Sequence, residues 1–253
     1  LKILVIPDTQ VRHGDDITHI QAAGKYIMET KPDVIVVIGD WWDMPALSRF
    51  STKMELEGQR IAKDLRAGTR ALKEFLKPLR TYQRKTKKKD YYNPRLVFTV
   101  GNHDPQVRIP RLYEEFPTLE GLFTIPDPAE LGFEVYDFLD VVTIEGIRFS
   151  HFFQNSHAAK RGPVGGMADT MLKNAGWSFV CGHTQGLKMA KHYLGDGSTR
   201  VGICAGSFYP HLENYMGRQG NHHWRGIVEL DDVKDGGANI SEKSLDWLVR
   251  EYS

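Results

Sequence analysis

Short apolar runs interrupt the polar background of this chain, and most of them end on a residue able to bind a metal ion. Residues 2–7 (KILVIP), 34–38 and 96–100 are continuous runs rich in Val, Ile, Leu and Phe, the pattern of strands buried on both faces. Residues 16–31 place Ile17, Ile20, Ala23 or Gly24, and Ile27 at near-helical spacing, with Pro32 just beyond, and predict a helix. Residues 56–79 carry Ile61, Leu65, Leu72, Phe75, Leu76 and Leu79 and predict a long amphipathic helix. Residues 141–144 and 147–149, joined by Glu145-Gly146, read as a hairpin. Strands follow at 177–181, 201–204 and 226–230, and the tail from Asp231 is polar until 245–249. Strands alternate with helices in the first half and dominate the second, which predicts an α/β layered fold with a mixed sheet or paired sheets.

The length of 253 residues suits one large domain, 1–253, with a possible basic insertion around residues 53–93. A net charge of +1 excludes polyanion binding by bulk electrostatics, so any nucleic-acid contact needs a local patch. Cys181 and Cys204 both lie in apolar runs and read as buried free thiols; a disulfide requires their strands to be neighbours. Two cysteines make no disulfide framework, and a cytoplasmic location fits. No apolar run approaches the ~18–20 residues of a membrane span, and with a strand starting at Lys2 no signal peptide is expected.

The polar residues that close these runs form a series: Asp8-Thr9-Gln10, Gly39-Asp40-Trp41-Trp42-Asp43, Gly101-Asn102-His103-Asp104, Ser150-His151 and Gly182-His183-Thr184-Gln185. A single Asp after a strand is ordinarily a turn or a helix cap, and a single His in an apolar run ordinarily packs in the core. The whole series, each member at a strand end, points instead to one site on an α/β fold. Acid, amide and imidazole together suit two divalent ions more than a structural zinc, which favours thiolates. Asp40, after the most buried strand and a glycine, is the candidate bridging carboxylate. Asp8 completes one shell, Asn102 offers a carbonyl oxygen, and His151 and His183 offer imidazole nitrogens. His103 suits a general acid that protonates a leaving oxygen, with Asp104 near enough to orient it. His13, His19, His157, His192, His211, His222 and His223 read as surface or structural. His157, His211 and the His222-His223 pair, in loop-like segments, are the exceptions to watch.

This series resembles the calcineurin-like metallophosphoesterases, whose pattern is D-x-H, G-D-x-x-D, G-N-H-D/E, H and G-H-x-H. The resemblance runs from Asp8 to Gln185. It implies two stacked mixed β-sheets flanked by helices, in four layers. It implies one ion held by Asp8, Gln10, Asp40 and Gln185, and another by Asp40, Asn102, His151 and His183. A hydroxide held by the ions would attack phosphorus, and His103, partnered by Asp104, would be the acid. Asp43 would support without ligating. Gln10 and Gln185 stand where the family has His, both on the same ion. Amide oxygens are weaker, harder ligands, so this ion is expected to bind less tightly, with Mn²⁺ favoured; Mg²⁺, Zn²⁺, Fe and Ni²⁺ are the other choices.

Protein phosphatases of this family continue the second motif with Arg-Gly, whereas Met44-Pro45 follows Asp43 here. That argues against the protein-phosphatase branch and leaves phosphodiesterases, nucleases and small-molecule phosphatases, of which the reading taken is a phosphodiesterase acting on nucleic acid or nucleotides. The alternatives are a phosphomonoesterase on a small molecule or protein, or a non-catalytic scaffold of the same fold. The diester preference rests on residues 77–95, where Lys77, Arg80, Arg84, Lys85, Lys87, Lys88, Lys89 and Arg95 interleave with Tyr82, Tyr91 and Tyr92. Such a segment suits phosphate contacts and base stacking. Lys87, Lys88, Trp42 and Arg225 are the expected substrate contacts, with Gly206-Ser207 and residues 221–225 as further candidates. Oligomeric state is not legible.

Overall fold

Ile3, Leu4, Val5 and Ile6 are all fully buried, yet alternate residues of this strand enter different cores. The computed structural model describes residues 1–48, 51–87, 91–154, 167–213 and 216–253. In chain order its elements are β1 (Ile3–Ile6), α1 (Thr18–Thr30), β2 (Val34–Val37), α2 (Lys53–Leu56), α3 (Ile61–Lys85), β3 (Arg95–Thr99), α4 (Pro105–Glu115) and β4 (Glu134–Tyr136). There follow β5 (Val142–Ile144), β6 (Ile147–Phe149), α5 (Ala168–Ala175), β7 (Phe179–Cys181), β8 (Leu187–Tyr193) and β9 (Thr199–Ala205). The chain closes with α6 (Gly217–Gly220), β10 (Gly226–Lys234), β11 (Gly237–Ser244) and α7 (Leu245–Tyr252).

Six strands in the order β11-β10-β1-β2-β3-β4 form one sheet, and five in the order β5-β6-β7-β9-β8 form the other. Strands β1 to β4 run parallel, with β10 antiparallel to β1 at the side. In the second sheet β6, β7 and β9 are parallel. Ile3, Val5, Val34, Val36 and Val97 face the other sheet and pack on Phe149, Val180 and Ile203. Leu4, Ile6, Ile35, Val37 and Phe98 face the layer of α1, α3 and α7. On the far side, Met171 and Leu172 of α5 cover Phe179, Cys181 and Cys204. The expected four layers, two mixed sheets flanked by helices, are present. Continuous apolar strands are needed because both faces of each sheet are covered.

The stretch read as a basic insertion contains α3, the crossover that joins parallel neighbours β2 and β3. Its Leu65, Ala71, Leu72, Phe75, Leu76 and Leu79 belong to the main core. A crossover helix returns the chain to the start of the next strand. The end of α3 and Tyr92 therefore lie at the edge where β1, β2 and β3 begin. Tyr92 donates its hydroxyl to Pro32 O at 2.6 Å, and Gln83 Nε2 donates to Tyr92 O at 3.1 Å. Lys87, expected to contact substrate, is exposed at this edge, opposite the strand ends that carry Asp8, Asp40 and Asn102. Lys88 lies outside the described residues, as does His157.

Trp42 is also not a substrate contact. Trp41 and Trp42 are 0% and 1% exposed, and their indole N–H groups donate to Gly68 O and Leu65 O of α3 at 2.9 and 3.2 Å. Gly68 leaves the slot that the Trp42 ring fills; a Cβ there would collide with it. Two large rings thus brace the Asp40 loop against α3, and removing one would cost about 3–5 kcal/mol.

Candidate metal centre and active site

Five of the seven predicted ligands stand just past the carboxyl end of a parallel strand: Asp8 after β1, Asp40 after β2, Asn102 after β3, His151 after β6 and His183 after β7. The two sheets present these ends to each other. Backbone hydrogen bonds lock the loops together: Gln10 N–H to Asp40 O at 2.9 Å, Gly182 N–H to His151 O at 2.9 Å and Phe208 N–H to Asp8 O at 3.0 Å. Gln10, Asp40, His183 and Gln185 all adopt positive φ. That conformation costs non-glycine residues on the order of 1 kcal/mol each and persists where the surroundings fix it, as ligand-bearing loops do. Gly101 and Gly182 allow the closest approaches; a Cβ on either would collide with a carboxylate oxygen of Asp40 or Asp8.

Asp40, Asn102, His151 and His183 meet directly. Asn102 Oδ1 lies 2.8 Å from His183 Nδ1 and 3.1 Å from His151 Nε2, which is 3.3 Å from both Asp40 Oδ2 and His183 Nδ1. His151 Nδ1–H donates to Ile38 O at 2.9 Å, so Nε2 carries the lone pair in the neutral ring. Two imidazole nitrogens, an amide oxygen and a carboxylate oxygen therefore converge, so that either a proton, such as an Nδ1–H of His183 donated to Asn102 Oδ1, or a metal cation must lie among them. Protonation is one solution. Burial opposes it, but Asp40 and Asp8 raise His151 to about 9. Burial and the nearby His151 lower His183 to about 4. A divalent ion is the other solution, and the donor set fits one.

The second half of the expected cluster is less complete. Asp8 Oδ1 accepts from His183 N–H at 3.0 Å, while Asp8 Oδ2 and Gln10 Oε1 are buried oxygens without a hydrogen-bond partner among the described residues. Such orphaned oxygens fit a further cation. Gln185 Oε1 accepts from the Tyr209 hydroxyl at 2.8 Å. Tyr209 was not anticipated; the Gly206-Ser207 pair just before it was the available signal.

His103 takes its orientation from a different carboxylate than expected. Asp104 accepts backbone N–H bonds from Asp40, Trp42 and Gly101 at 3.0, 3.1 and 2.7 Å, and so braces the loops. Asp104 is the N-cap residue of α4 by position, but its side chain makes no capping bond to that helix and turns instead to these three loop N–H groups. His103 Nδ1 instead lies 3.0 Å from Asp43 Oδ1. Burial opposes a charged His103 ring, but Asp40 and Asp43 outweigh it and raise its pKa. Burial likewise works against ionised Asp43, yet His103 and Arg12 hold it below the usual range. Arg225, expected at the substrate, sits over the Tyr209 ring at 4.8 Å and donates to Pro210 O at 3.1 Å. It lines neither cavity that His103 lines.

These shifts set a pH dependence for the metal-stripped protein. Burial, aided by Asp40, pushes Asp8 and Asp104 up to about 7 from 3.8. A raised folded-state pKa gives stability at low pH that is lost as pH rises through it, and His151, raised from 6.5 to about 9, acts in the same sense. His183 and His19, both lowered to about 4, act only below 6.5. The melting temperature of stripped protein should therefore fall between pH 6.5 and 9. Saturating Mn²⁺, which requires the deprotonated ligands, should abolish or reverse that fall. A flat stripped profile would contradict the clustering of these groups.

A cluster of this kind belongs on a metal-dependent hydrolase of phosphoric esters. This chain is a member of the calcineurin-like phosphoesterases, whose sequence profile matches residues 1–215. It is 30% identical over 207 residues to the Gene 54 protein of Mycobacterium phage L5, covering 79% of this chain and 74% of that protein. It is 36% identical over 104 residues to the Gene 54 protein of Mycobacterium phage D29, covering 41% and 36%. No helix among the described residues is long and apolar enough to cross a membrane.

Proposed function

We propose that this phosphoesterase is a phosphodiesterase of nucleotides or nucleic acid that works with two divalent ions, Mn²⁺ foremost. The observation that carries the diester preference is a cleft with two arms. One cavity of about 630 Å³ is lined by Gln10, Arg12, Asp43 and His103, and another of about 240 Å³ by Asn102, His103, Arg108 and Arg111. His103 and Arg108 border both. A diester carries organic groups on both sides of phosphorus, and a two-armed cleft suits that shape. Arg111 of α4 takes over the role first given to residues 77–95, that of attracting a neighbouring phosphate.

Asp40, Asn102, His151 and His183 would hold one ion, and Asp8, Gln10 and Asp40, with Gln185, the other. Bound there, the ions would supply Lewis acidity toward a phosphoryl oxygen and lower the pKa of a water. The protein supplies the rest. Asp43 holds His103 by Nδ1, leaving Nε2 for the substrate, and its carboxylate favours the protonated ring that would donate a proton to the leaving oxygen. A purely structural scaffold has no need of that pair. Cys181 and Cys204 face each other across β7 and β9, and the cytoplasmic setting in this reading rests on the chain having two cysteines and no disulfide framework.

The test is hydrolysis of bis-p-nitrophenyl phosphate and p-nitrophenyl phosphate by stripped protein titrated with Mn²⁺, Mg²⁺, Zn²⁺ and Ni²⁺. Preferential diester turnover, strongest with Mn²⁺, is expected. Preferential monoester turnover would replace this reading with a phosphomonoesterase. The amide ligands yield a further prediction: the double variant Gln10→His, Gln185→His should retain its second ion about tenfold more tightly, measured as metal per chain after dialysis. Unchanged retention would remove both glutamines from the ligand set.

A further inference from the structure

Arg12 lies two residues beyond Gln10, between two carboxylates from distant parts of the chain. Its Nε donates to Asp43 Oδ2 at 2.6 Å and its Nη2 to Glu213 Oε1, while its backbone N–H donates to Asp15 Oδ2 at 3.0 Å. Asp43 and Glu213 are each 7% exposed. The other oxygen of Asp43 faces His103 Nδ1 at 3.0 Å. Glu213 Oε1 also pairs with His211 Nε2 at 3.0 Å, and Asn221 Oδ1 accepts from Glu213 N–H at 2.7 Å. A chain of ionisable side chains thus runs from Glu213, held at its backbone by Asn221, through Arg12 and Asp43 to His103. Two carboxylates already occupy the guanidinium, which leaves it poorly placed to take a phosphate.

We infer that Arg12 is a positioning residue for the general acid: anchored by Glu213, it fixes Asp43 so that His103 presents Nε2 to the leaving oxygen. The inference rests on His103 being that acid. A planar guanidinium holds two carboxylates in fixed directions, which an ammonium cannot do. Without it Asp43 is free to turn, and His103 with it.

Proton donation matters most when the leaving group is a poor one. The test therefore compares bis-p-nitrophenyl phosphate, with a good leaving group, and a thymidine dinucleotide, which leaves as an alkoxide, on the Mn²⁺-loaded full chain. Arg12→Met should lower kcat for the dinucleotide about 10–100-fold and for the p-nitrophenyl diester only slightly, with metal content and KM little changed. Glu213→Gln, a milder change that leaves Arg12 on Asp43, should show the same selectivity at smaller size and guards against misfolding of the first variant. Equal losses on both substrates in the two variants, or a rise confined to KM, would overturn the inference, the latter by making Arg12 a substrate ligand. His103→Ala is the control. If it lacks the leaving-group selectivity, the general-acid reading itself fails; if it shows selectivity and Arg12→Met and Glu213→Gln do not, only the role of Arg12 fails.

Discussion

Asp40→Asn should lower kcat/KM for a phosphodiester by at least about 10³-fold while leaving the fold intact. The change keeps size and shape, so the packing of Trp41 and Trp42 against α3 is undisturbed. What it removes is the negative charge at the point where both halves of the cluster meet. Asp40 Oδ2 faces His151 Nε2 at 3.3 Å, and Asp40 Oδ1 accepts from His103 N–H at 2.8 Å. Burial works against this charge, but His151 and His103 and their hydrogen bonds hold its pKa below the ordinary range, so it is an anion at every working pH. A neutral amide cannot offset the repulsion between two dications. Bound metal per chain should fall with activity, and circular dichroism should match the parent. Near-normal turnover in this variant would remove Asp40 from the centre of the site.

The second large effect belongs to His103. His103→Ala should cost about 10²–10⁴-fold on a substrate with an alkoxide leaving group and much less on a p-nitrophenyl diester. Metal content should not change, because His103 touches the cluster only through its backbone N–H. Equal losses on both substrates would mean that His103 orients the substrate and does not donate a proton.

The candidate ligands were legible because each closes an apolar run, and in a sheet of parallel strands such closures gather at one edge. Asp8, Asp40, Asn102, His151 and His183 could be named on that ground. The partner of His103 could not, since adjacency in sequence says nothing about direction: Asp104 turns to three backbone N–H groups, and Asp43, sixty residues earlier, faces the ring. The place of residues 77–87 and 91–95 of the basic segment was derivable and was missed. Residues between a crossover helix and the next parallel strand lie at the strand's amino edge, away from a site at the carboxyl edge. Strands β8 and β11 went unread because lysines, histidine and serines interrupt their alternation, and α4 because Pro105 and Pro110 mask its period. Arg12, Tyr209 and Glu213 act through contacts between distant segments, which local pattern does not encode.

Metal content and diester turnover, measured together on stripped and Mn²⁺-reconstituted protein, test the account most directly. It predicts two ions per chain, turnover of bis-p-nitrophenyl phosphate that appears as they bind, and loss of both with a chelator. Undiminished turnover by fully stripped protein, or full Mn²⁺ occupancy without hydrolysis of any phosphoester, would contradict it.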